Sequence, residues 1–195
     1  MSQDPPIQIV VFDVDGVMTD GRVTYTSDGQ ELKSFCIKDG VGIKRLHDSG
    51  VRTAIITGRI SPMVERRAQE LGISHVIQGR EDKLSALNEL LEAVDVSVDC
   101  VAYMGDDLPD LTAIKAAKIG ACPSDASSAV MDQADWIASV AGGQGCVREF
   151  CDFLLNSALV ASAPLASAPV ASAPVDSAPV DSAPVDSAPV DSATP

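Results

Sequence analysis

Asp13 and Asp15 stand two residues apart at the end of a short apolar run, Ile7 to Phe12, and Gly16 follows them. The run is rich in β-branched residues and reads as a buried strand. Alternate residues of a strand share a face, so both carboxylates can turn toward one ligand. Two acids that close suit a divalent cation, or a nucleophile beside a proton donor. The same residues also suit a plain strand-to-turn boundary, because Asp and Gly both favour turns.

Three further stretches carry the same kind of chemistry. Thr57-Gly58-Arg59 closes a second apolar run, Val51 to Thr57, and Gly105-Asp106-Asp107-Leu108-Pro109-Asp110 follows a third, Cys100 to Met104. Lys83 lies in the first turn of a helix that starts at Asp82. A cation there opposes the helix macrodipole at a cost of a few tenths of a kcal/mol, which suggests a reason other than helix stability. An acid nucleophile, a second acid, a hydroxyl, a cation and metal-grade carboxylates together fit phosphoryl transfer through a covalent aspartyl-phosphate. Such chemistry is mostly positioning and charge neutralisation, which Mg²⁺, a lysine and a hydroxyl would supply.

The elements that must position these residues alternate. After the first strand, two β-rich runs, Arg22 to Thr26 and Glu31 to Ile37, flank Ser27-Asp28-Gly29-Gln30, whose composition is that of a hairpin turn. Lys38-Asp39-Gly40 reads as the end of that hairpin, and Val41 to Asp48 as a helix. Ser61-Pro62 opens a helix that runs to about Leu71, with Gly72 beyond it, and His75 to Ile77 is a third strand. Asp82 is expected to cap the next helix, striped by Leu84, Leu87, Leu90, Leu91 and Val94. A helix over 109–117, a strand over 119–122, a helix near 125–131, a strand over 136–138 and a last helix to about Asn156 complete the series. Strands alternating with helices imply an α/β fold with a doubly wound parallel sheet, the hairpin being its insertion. All the candidate residues then fall at one end of that sheet, where such folds bind ligands.

The chain of 195 residues divides into unlike parts. From 157 to 195 there is no aromatic residue, Lys, Arg or Gly, and proline recurs every five residues from Pro164 to Pro189. That segment reads as a disordered, partly polyproline II tail, leaving residues 4–156 for one folded domain. The formal charge is −14; Asp176, Asp181, Asp186 and Asp191 of the tail account for four of these, leaving −10 on the rest. An acidic domain argues against nonspecific nucleic-acid or anionic-membrane partners. The start has no basic segment followed by a long apolar one, and no run approaches the ~18 apolar residues of a membrane span. Five scattered cysteines without a CxxC pair read as reduced, so a cytoplasmic location is expected.

The motifs Asp13-Val14-Asp15-Gly16-Val17-Met18-Thr19-Asp20, Ile55-Ile56-Thr57-Gly58-Arg59, the isolated Lys83, and Gly105 to Asp110 resemble, in order, the four motifs of the haloacid dehalogenase superfamily. The likeness covers nearly all of residues 7–156. The small hairpin in place of a cap domain, Phe35 with Lys38-Asp39-Gly40-Val41-Gly42, and Gly142-Gly143-Gln144-Gly145-Cys146-Val147-Arg148-Glu149 resemble the 3-deoxy-D-manno-octulosonate 8-phosphate phosphatase family of lipopolysaccharide synthesis. The resemblance implies a capless Rossmann-like phosphatase that uses Mg²⁺. It implies Asp13 as nucleophile and metal ligand, and Asp15 as general acid/base that also lends the metal its main-chain carbonyl. Thr57 and Lys83 would hold the phosphoryl group, and Asp106 would be the remaining carboxylate ligand. Asp107 and Asp110 would support the metal site or cap the helix. Lys44, Arg59 and Arg67 match positions that contact the sugar acid, and the hairpins would assemble a homotetramer.

A related phosphatase of nonulosonate 9-phosphates tends to carry glutamate after the Thr-Gly pair, so Arg59 favours the octulosonate. Cys36 departs from the family, in which an asparagine often follows the equivalent of Phe35. A receiver-like signalling module would place its phosphorylated Asp on a middle strand, yet His75 to Ile77 leads into Gln78-Gly79. A non-catalytic scaffold would not need every reactive residue type that is present here. His47 and His75 read as surface and strand-end residues, and Trp136 as core or subunit interface.

Overall fold

The structure, a computed structural model, describes residues 5–157, 159 and 160. The expected disordered tail lies outside the described residues beyond Val160. In chain order the elements are β1 (Ile9–Phe12), β2 (Thr24–Tyr25), β3 (Glu31–Leu32), α1 (Ile37–Asp48), β4 (Arg52–Ile56), α2 (Pro62–Leu71) and β5 (His75–Ile77). Then follow α3 (Lys83–Val94), β6 (Val101–Met104), α4 (Leu111–Ala116), β7 (Ile119–Cys122), α5 (Ser128–Met131), β8 (Trp136–Ile137) and α6 (Cys146–Asn156). Among the described residues six strands form one sheet in the order β5-β4-β1-β6-β7-β8, with every pairing parallel. This is the doubly wound α/β sheet that the alternation implies.

β1 is central and fully buried, as a strand covered on both faces must be. Its period of two divides the core. Val10 and Phe12 pack with Ile43, Leu46, Val64 and Phe150 of α1, α2 and α6, while Ile9 and Val11 pack with Leu87, Leu90, Ile114 and Val130 of α3, α4 and α5. The chain winds from β1 through β4 to β5, then crosses back to β6 on the other side of β1. That reversal opens a crevice beyond the carboxyl ends of β1, β4 and β6.

Two local expectations are corrected. The β2–β3 ribbon pairs only Thr24 with Leu32 and Tyr25 with Glu31, because it has no third strand or covering layer to extend it. Helix α1 begins at Ile37, so Lys38-Asp39-Gly40 is helix rather than the end of a hairpin. Tertiary contact overrides the turn chemistry there. Asp39 is buried and accepts a 2.9 Å hydrogen bond from the backbone N–H of Arg148 in α6. A Cβ on Gly42 would come within 3.0 Å of Cys151 Cβ and 3.1 Å of Arg148 Cα, so glycine is what lets α1 and α6 approach. Past α6 the chain still packs: Ile7 donates to the Leu159 carbonyl at 2.7 Å and bridges to Val160.

Candidate active site

Asp13 follows β1 directly and is buried, with its N–H bonded to the Met104 carbonyl of β6 at 2.9 Å. The chain then makes one tight turn, in which the N–H groups of Val17, Met18 and Thr19 all donate to the Val14 carbonyl. Gly16 permits that turn with φ +94°. It also leaves space, since a Cβ there would lie 2.0 Å from Asp106 Oδ2. Thr57 follows β4 and is buried, its N–H bonded to the Ile77 carbonyl at 2.9 Å.

Lys83, the first residue of α3, reaches inward instead of into solvent. Its Nζ lies 2.5 Å from Asp13 Oδ1, 2.8 Å from the Ile56 carbonyl and 3.3 Å from Asp110 Oδ1. These bonds explain a cation placed against the macrodipole. Asp82 precedes it in the N-cap position, but its carboxylate makes no capping bond and is held by Arg80 at 2.7 and 2.8 Å. The expected Asp82 side-chain cap is therefore replaced by an ion pair.

Asp107 and Asp110 form a capping box around the short 3₁₀ turn at Leu108–Asp110. Asp110 does more than cap. Tyr103 donates its hydroxyl to Asp110 Oδ1 at 2.8 Å, and carboxylate oxygens of Asp13, Asp106 and Asp110 lie within 4.8 Å of one another. Burial and then the neighbouring Asp110 push the Asp13 carboxyl up to about 7, against the pull of Lys83. Burial, followed by Asp13, Asp110 and Asp107, pushes Asp106 up to about 8. Burial pulls Lys83 down, but Asp13 and Asp110 outweigh it and hold the ammonium above its ordinary value. An all-oxygen cluster of crowded, half-compensated acids beside a glycine-made space fits a hard divalent cation such as Mg²⁺.

The cleft, about 280 Å³, is lined by Asp13, Asp15, Thr57, Arg59, Lys83 and Asp106, with Glu81, Asp107 and Asp110 at its walls. The structure thus gathers most of the residues the sequence singles out. Asp15 lines the cleft, yet its side chain is not among the three clustered carboxylates; it turns to Lys33 of the ribbon. Two expected substrate residues stay away from the cleft of this chain. Lys44 is exposed on α1, and Arg67 of α2 points to the Cys36 carbonyl at 3.4 Å, 5.8 Å over the Phe35 ring. Arg59 does reach the cleft and is bonded by Nη2 to Glu31 Oε1 at 2.7 Å.

Glu31 and Lys33 are functional candidates that sequence reasoning passed over. Their spacing carried a signal: alternate residues of one strand run share a face, and this face turns toward Asp15 and Arg59.

The family model for haloacid dehalogenase-like hydrolases matches residues 38–118. The 3-deoxy-D-manno-octulosonate 8-phosphate phosphatase KdsC of Escherichia coli (strain B / BL21-DE3) is 41% identical over 155 residues, 80% of this chain and 82% of that protein. The crystal structure of a 3-deoxy-D-manno-octulosonate 8-phosphate phosphatase from Moraxella catarrhalis, in complex with magnesium, phosphate and KDO, superposes with a TM-score of 0.75 at 46% identity. It covers 76% of this chain and 86% of its own. A probable YrbI family phosphatase from Pseudomonas syringae is 51% identical, with a TM-score of 0.76 over 77% of this chain and 85% of its own.

Proposed function

Because the chain belongs to the 3-deoxy-D-manno-octulosonate 8-phosphate phosphatase family of haloacid dehalogenase-like hydrolases, we propose that it hydrolyses that sugar phosphate to KDO and phosphate, in lipopolysaccharide synthesis. The observation that carries this reading is the buried Lys83, which gathers Asp13 and Asp110 at the mouth of β1 while Asp15 faces the other way.

An oxygen of Asp13 attacks phosphorus, and the bond to the sugar O8 breaks as Asp15 hands that oxygen its proton. Asp15 then takes a proton from the water that attacks the aspartyl-phosphate, freeing phosphate and regenerating Asp13. Lys83 Nζ, already at Asp13, and the buried Thr57 at the end of β4 hold the phosphoryl oxygens where charge accumulates. Asp13, Asp106 and the main-chain carbonyl of Asp15 would hold Mg²⁺, with Asp110 behind them. Bound there, the cation supplies positive charge to the phosphoryl oxygens and keeps Asp13 ionised. Arg59, at the cleft, would take the carboxylate of the sugar acid.

Lys44 and Arg67 act on substrate only if subunits combine, and we assign them to a homotetramer built through the ribbons. Tyr25 and Leu32 on the ribbon are 62% and 53% exposed, a costly display for a monomer. Light scattering should return four chains, and Tyr25→Asp with Leu32→Asp fewer. No described helix is long and apolar enough to cross a membrane, and free cysteines accord with the proposed cytoplasmic setting.

The substrate is tested by phosphate release with Mg²⁺ from the octulosonate 8-phosphate, a nonulosonate 9-phosphate and several hexose phosphates. Preference for the octulosonate is expected. Preference for another ester would keep the chemistry and reject the substrate.

A further inference from the structure

Lys33 sits just after β3, yet its side chain is only 2% exposed, with the amine turned into the site. Nζ donates to Asp15 Oδ1. The same amine is 3.8 Å from Glu31 Oε1, and that oxygen accepts from Arg59 Nη2. A row of alternating charges therefore runs from Asp15 through Lys33 and Glu31 to Arg59, and its two middle members belong to the ribbon. Asp15 Oδ2, in contrast, is buried and has no hydrogen-bond partner among the described residues.

We propose that Lys33 is a positioning residue: it holds the Asp15 carboxyl through Oδ1 in one orientation at the cleft, from which that carboxyl serves the leaving oxygen. The inference rests on the reading of Asp15 as general acid/base. Asp15 gives its proton to the sugar oxygen as the P–O bond breaks, and regains one from water in the second half. Lys33 transfers no proton. Lys33 does not line the cleft, which separates it from the groups that touch substrate. The arrangement also ties the ribbon to the chemistry, because the Asp15 side chain is oriented only while the ribbon lies over the site.

The test compares two esters. Release of an alkoxide such as the sugar O8 needs a proton, whereas p-nitrophenolate leaves without one. Lys33→Ala should lower kcat/KM, which reports transfer to Asp13 and not the later hydrolysis in which Asp15 also acts, about 10- to 100-fold for the octulosonate 8-phosphate, part of what a general acid contributes. It should lower kcat/KM for p-nitrophenyl phosphate less than about threefold. Lys33→Arg should restore much of the loss, since a guanidinium can still donate to Oδ1. The ratio of the two rates in one preparation is independent of how much of the variant is folded. Equal losses on both esters would overturn the proposal and make Lys33 a structural peg. A rise in KM with unchanged kcat would overturn it too, making Lys33 a substrate contact. Asp15→Asn in the same assay should show the same leaving-group dependence more strongly. If it does not, the assignment of Asp15 fails, and the role of Lys33 with it.

Discussion

Lys83 Nζ and Asp13 Oδ1 are 2.5 Å apart, although the two residues are separated by 70 positions in the chain. Both are buried, and Asp110 Oδ1 lies 3.3 Å from the same amine. The site is therefore a small cluster of three carboxylates organised around one ammonium, poised for a second positive centre.

Removing that ammonium should destabilise the metal-free protein in a pH-dependent way. Lys83→Met leaves buried acids without their cation, and breaking a buried pair costs about 3–5 kcal/mol. At pH 8 most of that cost is expected in urea unfolding with EDTA present. At pH 6 it should shrink, because Asp13 and Asp106, pushed up to about 7 and about 8, are then largely protonated. A loss that does not change with pH would contradict the cluster.

Mg²⁺ and protons should compete for the same carboxylates. Asp13 and Asp106 must lose protons to bind the cation, so affinity should tighten as pH rises from 6 to 8.5, by up to about tenfold per pH unit for each proton released. The stability of the metal-free protein runs the opposite way. Both folded-state values lie above the ordinary 3.8, so the stabilisation from these groups is complete below pH ~4 and is lost as pH rises through about 7 and 8. Addition of Mg²⁺ should therefore raise the melting temperature more at pH 8.5 than at pH 6. A Mg²⁺ effect of equal size at both values would count against the assignment.

The space made by Gly16 is tested by Gly16→Ala. The added Cβ would meet Asp106 Oδ2 at 2.0 Å and would sit on a residue with φ +94°. A positive φ costs a non-glycine residue about 1–2 kcal/mol, so the fold should survive in circular dichroism. Stabilisation by Mg²⁺ should vanish and turnover should fall more than about 100-fold. Normal Mg²⁺ stabilisation in this variant would show that Asp106 is not a ligand.

Much of the site was legible because each member stands where an apolar strand gives way to polar residues. Asp13, Thr57 and Asp106 follow β1, β4 and β6, and the parallel order brings those ends together. Lys83 announced itself by opposing the dipole of its own helix. What was not legible depends on partners distant in sequence. Asp39-Gly40 has turn chemistry, and only Arg148 and Leu71, packed against it, show why it is helical. Asp110 reads as either a support of the metal site or a helix cap, and the choice needs Tyr103 and Lys83 beside it. Lys33 belongs to an ordinary-looking polar run, and its meaning appears only when the ribbon folds back over Asp15.

In the proposed mechanism Asp13 carries the phosphoryl group. The direct measurement is an acid quench of the wild-type enzyme turning over octulosonate 8-phosphate with Mg²⁺, followed by peptide mass spectrometry. One added phosphoryl group is expected on the peptide that contains Asp13, absent when the reaction is run with Asp13→Asn, which should also lose at least about 10³-fold in turnover. Turnover of Asp13→Asn near the wild-type rate, or phosphoryl label trapped on a different residue, would contradict it.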